Sequence, residues 1–274
     1  MISVSIVIFN LDRSKTKIIL NALNKHTKVK KIHIVYNGQS SFDYNKLHSY
    51  KKLFNKLQCH KIKNNGFGNG HNHIIKNYNL QKYHLIINPD INITTENISK
   101  LYTFLVNNNQ IAALGPKIYD SKNNFYSSVK LLPNPLIHVI RRINSKSKLN
   151  KKYELANYKI EQPTAVPTIS GCFMMVNSQF LKKINGFDEN FFLYFEDIDL
   201  LRRLSEYGDI FYFPLTHITH SHNQQSLRSI KFLIYHIKSL IIYYSKWGWI
   251  FDKLKYEINL RFLENNKKLK KYNL

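Results

Sequence analysis

The sequence predicts an α/β fold: a mostly parallel β-sheet flanked by helices and followed by C-terminal amphipathic helices. In the first 120 residues, short apolar runs alternate with segments that carry apolar side chains at helical spacing, which is typical of a doubly wound sheet. With 274 residues and 43% hydrophobic residues, the chain can form one substantial core. Residues 230–264 return to an amphipathic helical pattern rich in Ile, Tyr, Phe and Trp.

The elements of the first half follow one another in a regular order. The predicted strands are short apolar runs at residues 3–9, 32–36, 59–63 and 84–87, followed by a further apolar run at 111–114. The predicted helices cover 14–26, a segment marked by Leu47, Tyr50, Phe54 and Leu57, about 70–79, and a segment that carries Ile98, Leu101, Phe104 and Leu105. Thr94 or Thr95 is expected to cap the last of these helices.

The second half is less regular. From about 120 to 165 the periodicity gives way to Ser, Asn, Lys and Pro around a short apolar piece at 136–143. We interpret this segment as a mobile connection beside the substrate site. Residues 226–274 carry 11 Lys and Arg against 3 acids, with aromatic side chains interleaved. This pattern suits a membrane interface, and equally a C-terminal helix that packs on the main domain with its lysines in water.

The composition limits the classes of partner. The formal net charge is +24, but the chain has 34 Lys and only 7 Arg, together with 32 Asn. Lys and Asn raised together indicate a drift in genome composition, whereas Arg is the residue that reads bases and phosphates through bidentate hydrogen bonds. No nucleic-acid partner is therefore expected. An anionic membrane surface or a phosphate-bearing substrate explains the charge.

The sequence predicts neither an export signal nor a membrane-spanning segment. Residues 2–9 are apolar, but no basic segment precedes them and no small-residue cleavage site follows, so no signal peptide is predicted. No apolar run approaches the roughly 20 residues that span a bilayer. Cys59 and Cys172 are far apart and match no metal or redox spacing, so a reducing cytoplasm is the expected location.

Polar and glycine residues follow each of the first four predicted strands. Because ligands of parallel sheets bind beyond the carboxyl ends of the strands, these residues are predicted to line one crevice. They are Asn10 and Asp12, Asn37 and Gly38, Asn64 to Gly70, and Asn88 and Asp90. Gly66, Gly68 and Gly70 would let the backbone approach a ligand just before a helix. They resemble a dinucleotide fingerprint only loosely, since they follow the third strand, and a plain turn is the alternative.

Two further motifs indicate bound cations or phosphates. Pro89 ends the fourth strand and leaves Asp90 at the crevice edge, where one carboxylate and phosphate oxygens can hold Mg²⁺ or Mn²⁺; a turn is the alternative. Three histidines lie within residues 217–222, but no local cysteine or carboxylate completes a zinc site. One of them is expected either to complete a metal or diphosphate contact or to lie at the surface. Arg228 is placed to neutralise a leaving phosphate.

Acids are concentrated in one aromatic-rich stretch, GFDENFFLYFEDIDLLRRL (186–204). It holds five of the 17 Asp and Glu residues within twelve consecutive positions, which indicates chemistry or cation binding. The alternative is a helix N-terminus that favours acids through its dipole. If a helix begins near Glu196, Asp197 shares its apolar face, whereas Asp199 pairs with Arg203 at the surface. Asp197 is therefore the better candidate for a general base.

Taken together and in this order, several segments resemble the family 2 glycosyltransferases, most closely the bacterial rhamnosyltransferases of O-antigen and capsule synthesis. They are SIVIFN (5–10), NGQSS (37–41), NNGFGNGHN (64–72), LIINPDI (85–91), SGCFMMV (170–176), GFDENFFLYFEDIDLLRRL (186–204) and the histidines at 217–222. The resemblance covers roughly residues 1–230. It implies a GT-A fold, a nucleotide-diphosphate sugar donor and a divalent cation, Mg²⁺ or Mn²⁺.

The resemblance also implies roles for single residues. NPD stands where the family has its DxD-type motif, so Asp90 would bind the metal and the diphosphate, and His220 would complete that site. Asp197 would be the general base, with Glu196 assisting it or binding the acceptor. The predicted donor-binding residues are Asn10, Asp12, Asn37, Asn65, Gly66, Gly68, Asn72, Asn88, Asp90 and Arg228. Tyr36 stands where the family commonly has a base-contacting Asp, which leaves the nucleotide, dTDP or UDP, open.

The function implied by the resemblance is inverting transfer of a sugar, expected to be rhamnose, to a saccharide acceptor linked to polyprenyl diphosphate. Residues 1–120 would bind the nucleotide sugar, 121–229 would supply the acceptor and catalytic side, and 230–274 would touch an anionic membrane. The expected location is cytoplasmic, peripheral at the inner face of the cell membrane. Two other classes stay open: a scaffold that binds a nucleotide sugar without turning it over, and a Rossmann-type NAD-dependent oxidoreductase, which would need its glycines after the first strand.

Overall fold

The first half of the protein alternates strands and helices as predicted. The computed structural model describes residues 1–144, 146–221 and 230–269. Side chains at the helix starts satisfy the free backbone amides, because Asp12, Ser40 and Thr94 each accept a hydrogen bond from the first turn. The elements are β1 (Ile2–Ile8), α1 (Arg13–Lys25), β2 (Val29–Tyr36), α2 (Ser41–Ser49), β3 (Leu57–Lys61), α3 (Phe67–Asn77), β4 (Tyr83–Ile87), β5 (Ile91–Asn92), α4 (Thr95–Val106) and β6 (Ile111–Asp120).

The second half contributes fewer strands to the sheet and more helices. Its elements are β7 (Phe125–Tyr126), α5 (Pro135–Ile143), α6 (Lys148–Tyr153), β8 (Thr164–Ala165), β9 (Phe173–Asn177), α7 (Ser178–Lys183), α8 (Glu196–Leu204), β10 (Asp209–His220), α9 (Ile230–Trp247) and α10 (Lys253–Asn265). The C-terminal helices predicted from residues 230–264 are therefore present. Among the described residues, none of the helices combines the length and the hydropathy that crossing a bilayer requires.

The strands join into one sheet in the order β3-β2-β1-β4-β9-β6-β10-β5. The predicted parallel arrangement extends from β3 through β2 and β1 to β4, and β6 and β10 are also parallel. β9 lies antiparallel between β4 and β6 and joins the two halves. As a result, the carboxyl ends of β1 to β4 lie at one edge of the sheet, next to the residues that precede β9.

Two hydrophobic clusters cover the faces of this sheet. The larger is formed by β1 to β4 with α1 and α4, and every residue of β1 is buried. The second forms where α8 packs on β9 and β10, and Leu200, Leu201 and Leu204 provide the buried face of α8. The predicted apolar stripe of this helix is therefore its contact with the core.

Several histidines are buried inside the first half of the sheet. Ser3 and Ser5 hydrogen-bond to the two ring nitrogens of His84, and Ser5 also bonds to His71. The ring of His33, on β2, hydrogen-bonds to the ring of His60, on β3, at 3.1 Å. Burial lowers the pKa of His33 to about 4 and that of His71 to about 3, and it lowers the pKa of His84 well below its usual range. These imidazoles are therefore neutral at physiological pH.

Two predictions about elements were wrong. The second helix was expected to continue through Phe54 and Leu57, but α2 ends at Ser49, one 3₁₀ turn follows, and Leu57 opens β3. The apolar spacing in this segment also fits a strand, and pairing of Leu57 with Ile32 decides between them. The stretch 120–165, expected to be a mobile connection, contains α5 and α6. Each is shorter than ten residues, too short for a clear periodic signal.

Candidate active site

Asparagine side chains follow β2, β3 and β4 at the carboxyl edge of the sheet. The Asn37 side-chain nitrogen donates to the Asn64 oxygen at 3.2 Å, and the backbone N–H of Asn88 donates to the carbonyl of Cys172 at 2.9 Å. The side-chain oxygens of Asn37 and Asn88 are buried and have no hydrogen-bond partner within the described ranges. Because an unpaired buried acceptor costs free energy, these two oxygens fit a ligand that brings hydroxyl or N–H groups.

Asp90 and His220 meet at the same edge. The Asp90 carboxylate lies 3.2 Å from Nε2 of His220, and the Asp90 carbonyl accepts a hydrogen bond from the backbone N–H of Ser221. Burial disfavours the charged imidazolium, but hydrogen bonds with Asp90 and the Cys172 thiol outweigh it and raise the pKa of His220 to about 10. The sequence placed these two residues in one site, and the structure brings them into contact.

The acid pair lies in a second, deeper cavity. Glu196 and Asp197 begin α8 and line a cavity of about 230 Å³ together with Lys130, Tyr153 and other polar side chains. The rest of its wall comes from 126–128, 168–170, α5 and α9. The segment 120–165 therefore supplies part of the wall of this cavity, and its role on the acceptor side stays a prediction.

Burial gives both acids unusual proton affinity. Burial and the negative charge of Asp197 raise the pKa of Glu196 to about 8, and its Oε2 has no hydrogen-bond partner in the described part of the chain. Burial also raises the pKa of Asp197, although the backbone N–H groups of Gly171 and Ile198 donate to its carboxylate and favour the charged form. The two backbone N–H groups make Asp197 the acid whose charged form is better stabilised, as a general base requires.

The backbone is strained immediately before the acids. Tyr194 and Phe195 adopt φ values of 73° and 66°, in the left-handed region that non-glycine residues rarely occupy. Phe195 is the residue before α8 and makes no side-chain capping bond. Its ring packs instead against Tyr243 and His138. This packing fixes the direction in which Glu196 and Asp197 enter the cavity.

The segment Ser170–Cys172 connects the two sites. Gly171 donates its N–H to Oδ2 of Asp197 at 3.2 Å, while the next residue contacts both Asn88 and His220. A Cβ atom on Gly171 would lie 2.6 Å from the Asp197 side chain, so only glycine fits there. The sheet-edge site and the acid cavity are therefore linked through the adjacent residues Gly171 and Cys172.

Several predicted donor-binding residues have structural roles instead. Asn72 is buried: its side chain bonds to the backbone N–H and C=O of Phe187 and to Glu189, which uses both of its N–H donors. Its assignment to the donor site is therefore wrong, because it holds the loop before α8 in place. Gly66 and Gly68 are also explained by packing, since a Cβ atom would meet Phe192 at 2.4 Å or Phe187 at 2.8 Å.

The other predicted donor residues differ in exposure. Asn10 and Asn65 are exposed, and Asp12 is exposed while it caps α1 through Lys15. These positions stay predictions. Arg228 lies outside the described residues.

The predicted pair of Asp199 and Arg203 forms, but it is buried rather than at the surface. Arg203 Nε donates to Asp199 at 2.8 Å, and Trp247 and Lys246 of α9 also contact Asp199. The surface prediction failed because α9, far away in sequence, packs over this face of α8.

Two groups of site residues were missed. Lys130 and Tyr153 line the acid cavity, yet they lie in a stretch without periodicity, so no local signal marks them. Burial lowers the pKa of Lys130 to about 8. Gly171 and Cys172 lie within the quoted segment SGCFMMV, and its two small residues directly before an apolar strand were the available signal.

The residues at the sheet edge fit a divalent cation whose other ligands are phosphate oxygens of a substrate. Within the described ranges, no group of three or more His, Cys, Asp and Glu side chains comes together to hold a metal ion. Asp90 supplies a carboxylate, and His220 supplies an imidazole once a bound cation displaces its proton. Mg²⁺ and Mn²⁺ are commonly held by one or two carboxylates plus substrate phosphates. The donor set therefore fits a cation that arrives with a diphosphate ligand.

Comparison with known sequences identifies glycosyltransferases. A family profile for the N-terminal domain of galactosyltransferase matches residues 151–223. The chain is 36% identical over 98 residues to the rhamnosyltransferase WbbL of Escherichia coli, covering 35% of this chain and 37% of that protein. It is 27% identical over 141 residues to an N-acetylglucosaminyl-diphospho-decaprenol L-rhamnosyltransferase of Mycobacterium tuberculosis, covering 50% and 46% respectively. The match thus spans less than half the length of either relative.

Solved structures with the same fold are GT-A glycosyltransferases. TarS 1–349 of S. aureus in complex with UDP-GlcNAc superposes with a TM-score of 0.60 at 15% identity, covering 99% of this chain and 74% of that one. GalNAc-T7 with UDP, GalNAc and Mn²⁺ gives 0.61 at 14%, covering 81% and 43%. The mannosyltransferase PcManGT of Pyrobaculum calidifontis, with GDP-Man and Mn²⁺, gives 0.58 at 12%, covering 88% and 64%. The predicted GT-A fold and the resemblance to bacterial rhamnosyltransferases are confirmed.

Proposed function

We propose that this protein is an inverting glycosyltransferase that transfers rhamnose from a nucleotide-diphosphate donor to a saccharide acceptor. The observation that carries the proposal is the placement of Asp197. Its carboxylate lines the cavity, has a raised pKa, and accepts the N–H of Gly171, whose neighbour Cys172 contacts His220 of the Asp90–His220 site. A single displacement at a sugar carbon requires a base and a diphosphate site that face the same substrate.

The cavity residues account for the proton transfer. Asp197 accepts the proton of an acceptor hydroxyl as that oxygen bonds to the anomeric carbon. The bond from the anomeric carbon to the phosphate oxygen breaks, and the nucleoside diphosphate leaves with its electron pair. Because attack comes from the face opposite the leaving group, the anomeric configuration inverts. Glu196 stays protonated and neutral, so it does not compete for the proton.

The sheet edge is assigned to the donor. Asn37 and Asn88 would contact its nucleoside and sugar, and Asp90 with His220 would hold Mg²⁺ or Mn²⁺, which would neutralise the charge of the leaving diphosphate. We keep dTDP and UDP as the candidate nucleotides. This assigns donor binding to residues 1–120, apart from His220, and acceptor binding with catalysis to 121–229.

The acceptor is proposed to be linked to polyprenyl diphosphate. Support comes from the M. tuberculosis relative, whose name specifies a diphospho-decaprenol substrate. The pathway would then be assembly of a surface polysaccharide such as O-antigen or capsule, with the enzyme peripheral at the inner face of the cell membrane.

The Asp197→Asn variant tests this proposal. It keeps the shape of the side chain but removes the base, so transfer should fall by about three orders of magnitude or more while donor affinity changes little. Rhamnose transfer from dTDP-rhamnose and UDP-rhamnose would be measured with a lipid-linked acceptor, and donor affinity by calorimetry with Mn²⁺. Asp199→Asn is not a suitable control, because Asp199 is buried; Asp209→Asn, on an exposed residue at the start of β10, is one.

The results distinguish an enzyme that transfers the sugar from a protein that only binds the nucleotide sugar. Full activity of Asp197→Asn would refute the base assignment. A wild-type protein that binds the nucleotide sugar with Mn²⁺ but transfers it to no acceptor would be a scaffold, and the proposal would be wrong.

A further inference from the structure

Helix α9 presents an unusual outer face. Ile234, Ile237 and Ile241 are 46%, 47% and 48% exposed, and they extend a line that begins at Ile230. Spacings of four, three and four residues place these side chains on one stripe of the helix. The opposite face packs on the protein through Tyr243 and other buried side chains. The packed face agrees with the interpretation of α9 as a helix on the main domain, and the exposed face leaves the membrane interpretation open.

Two neighbouring elements extend this apolar surface. On α5, Leu136, Val139 and Ile143 are exposed at spacings of three and four residues. After α9, Gly248 adopts a φ of 103° and turns the chain, and residues 249–251 follow as Trp, Ile and Phe. Ile250 and Phe251 in this turn are 80% and 91% exposed. We call the outer sides of α5, α9 and 249–251 the α5–α9 face.

The helices of the α5–α9 face touch each other and the acid cavity. His138 of α5 bonds to the hydroxyl of Tyr244 of α9 at 2.9 Å, and its ring lies 5.9 Å from that of His236. His138 and His236 also line the cavity that holds Glu196 and Asp197. Helices α5 and α9 therefore expose apolar side chains on their outer sides and line the acid cavity with their inner sides.

The charge of the α5–α9 face is positive. Neither α5 nor α9 contains an Asp or Glu. Lys231 and Lys238 of α9 are exposed beside the isoleucine stripe, and exposed Lys253 follows the aromatic turn. Lys253 is paired with Glu257 of α10, so the uncompensated lysines among these three are those of α9. Isoleucine side chains bordered by lysine on a helix that has no acids are typical of a helix that lies in the interface of an anionic bilayer.

We propose that the α5–α9 face binds the surface of an anionic lipid bilayer, with α9 parallel to the membrane plane and residues 249–251 inserted among the headgroups. A second copy of this chain is a poorer occupant, because it would bring the lysines of two copies together without acids between them. The surface is independent of sugar transfer. Its use in collecting a lipid-linked acceptor rests on the proposed function.

Vesicle sedimentation tests the apolar part of the face. The wild-type protein should bind vesicles of phosphatidylcholine and phosphatidylglycerol in equal parts and bind pure phosphatidylcholine much less. Ile237→Ser with Ile241→Ser should weaken binding by about two orders of magnitude, because these substitutions remove two aliphatic side chains that would be buried in the bilayer. The matched control is Ile18→Ser on α1, where Ile18 is 50% exposed away from this face. It should bind like the wild type.

A second pair of variants tests the charge. Lys231→Gln with Lys238→Gln should lower the affinity for the anionic vesicles by about twenty-fold, and added salt should reduce this difference. Lys25→Gln with Lys30→Gln, on the opposite half of the sheet, should have no such effect. Thermal unfolding of each variant would verify that it is folded.

Three results would overturn the proposal: equal binding to neutral and anionic vesicles, equal loss in the Ile18→Ser control, or a dimer in vesicle-free buffer that Ile237→Ser with Ile241→Ser converts to a monomer. The last result would identify the face as a contact between copies. These measurements contain no sugar donor, so their failure would leave the transferase proposal untouched, and an inactive enzyme that still binds vesicles would leave this proposal untouched.

Discussion

At the residue scale, the two adjacent acids of the cavity differ in how well their charged forms are stabilised, because their hydrogen bonds differ. Asp197 accepts two backbone N–H groups, which stabilise its charge, whereas Oε2 of Glu196 has no partner within the described part of the chain. Two neighbouring carboxylates cannot both ionise easily, so the better solvated one keeps the charge. The stabilisation of the Asp197 charge therefore depends in part on the backbone N–H of Gly171, which the sequence around the two acids does not reveal.

Replacing Glu196 by glutamine tests this difference. Glutamine resembles the protonated acid, and the pKa of Glu196 is raised to about 8, so Glu196→Gln should retain most of the transfer rate at pH 7. Above pH 8 the wild-type Glu196 ionises and the new charge raises the proton affinity of Asp197, so the pH–rate profiles of the two proteins should diverge there. A loss of more than about a hundred-fold at pH 7 would mean that Glu196 itself exchanges the proton.

Gly171 offers a test of how precisely Asp197 is placed. A methyl group there would lie 2.6 Å from the Asp197 side chain, so Gly171→Ala must move the carboxylate. We expect kcat to fall by about ten- to a hundred-fold, since small displacements of a catalytic group cost that much. Donor affinity should stay nearly constant. Ser170→Ala, which adds no atoms, serves as the control, and equal rates for both variants would contradict the steric argument.

The diphosphate site predicts a metal-dependent phenotype. Asp90→Ala removes the carboxylate that contacts His220, so donor affinity should lose its dependence on added Mn²⁺. Calorimetry with and without a chelator would measure this directly. If Asp90→Ala and the wild type responded to chelator in the same way, the cation would not bind at this site.

At the element scale, α8 is held from both sides. Its inner face packs in the core, and its outer face is covered by α9 and the turn that follows it. Arg202 is buried and binds Asp252 through two hydrogen bonds of 2.7 and 2.6 Å, and its guanidinium stacks on Trp247 at 4.0 Å. This contact connects the acid-bearing helix to the C-terminal helices.

Breaking that pair should destabilise the protein strongly. Asp252→Asn leaves the buried Arg202 charge without its counter-charge, and we expect a loss of about 3 kcal/mol in the free energy of unfolding, measured in urea. Glu257→Gln breaks the exposed contact with Lys253 and should leave stability nearly unchanged. Restoration of stability by adding Arg202→Met to Asp252→Asn would support the explanation, and equal effects of the two single variants would contradict it.

The element scale also explains which predictions failed. Segments with several apolar repeats, such as α1 and α4, were located correctly because periodicity alone defines them. Asp199 was placed at the surface because the local pattern contains no information about α9, which begins about thirty residues later. Likewise Asn72 was assigned to a ligand from its glycine-rich neighbourhood, whereas its partners Phe187 and Glu189 are more than a hundred residues away.

At the scale of the whole molecule, the buried histidines predict sensitivity to acid. The pKa values of His33, His71 and His84 are lowered in the folded protein relative to the unfolded value of 6.5. Between about pH 6.5 and 4 the unfolded chain therefore binds more protons than the folded protein. The stabilisation that these neutral histidines provide is fully present above pH 6.5, and the free energy of unfolding falls as the pH decreases below that value. Each fully buried histidine contributes about 1.4 kcal/mol per pH unit below 6.5.

Urea unfolding between pH 7 and pH 5 would measure this loss. His33→Gln should reduce the slope of stability against pH, and His48→Gln, at an exposed position, should not. Stability that does not change across this range would contradict the assignment of neutral buried imidazoles.

The overall architecture was more accessible from sequence than the site. The alternation of apolar runs and helical patterns predicted the α/β class and the order of the first four strands. The placement of Asp90 and His220 in one site came from the family resemblance, and the structure brings the two side chains into contact. Lys130, Tyr153 and Gly171 could not be assigned, because their roles come from the return of chain segments to the sheet edge, and such contacts have no period in the sequence.

The pairing of Arg202 with Asp252 has a consequence for recombining this protein with its relatives. A chimera that takes residues 186–204 from one parent and 230–252 from another would no longer pair the Arg202 guanidinium with the Asp252 carboxylate that evolved with it. Crossovers between β4 and α4 avoid this mismatch. Helix α8 and the C-terminal helices should therefore come from the same parent protein.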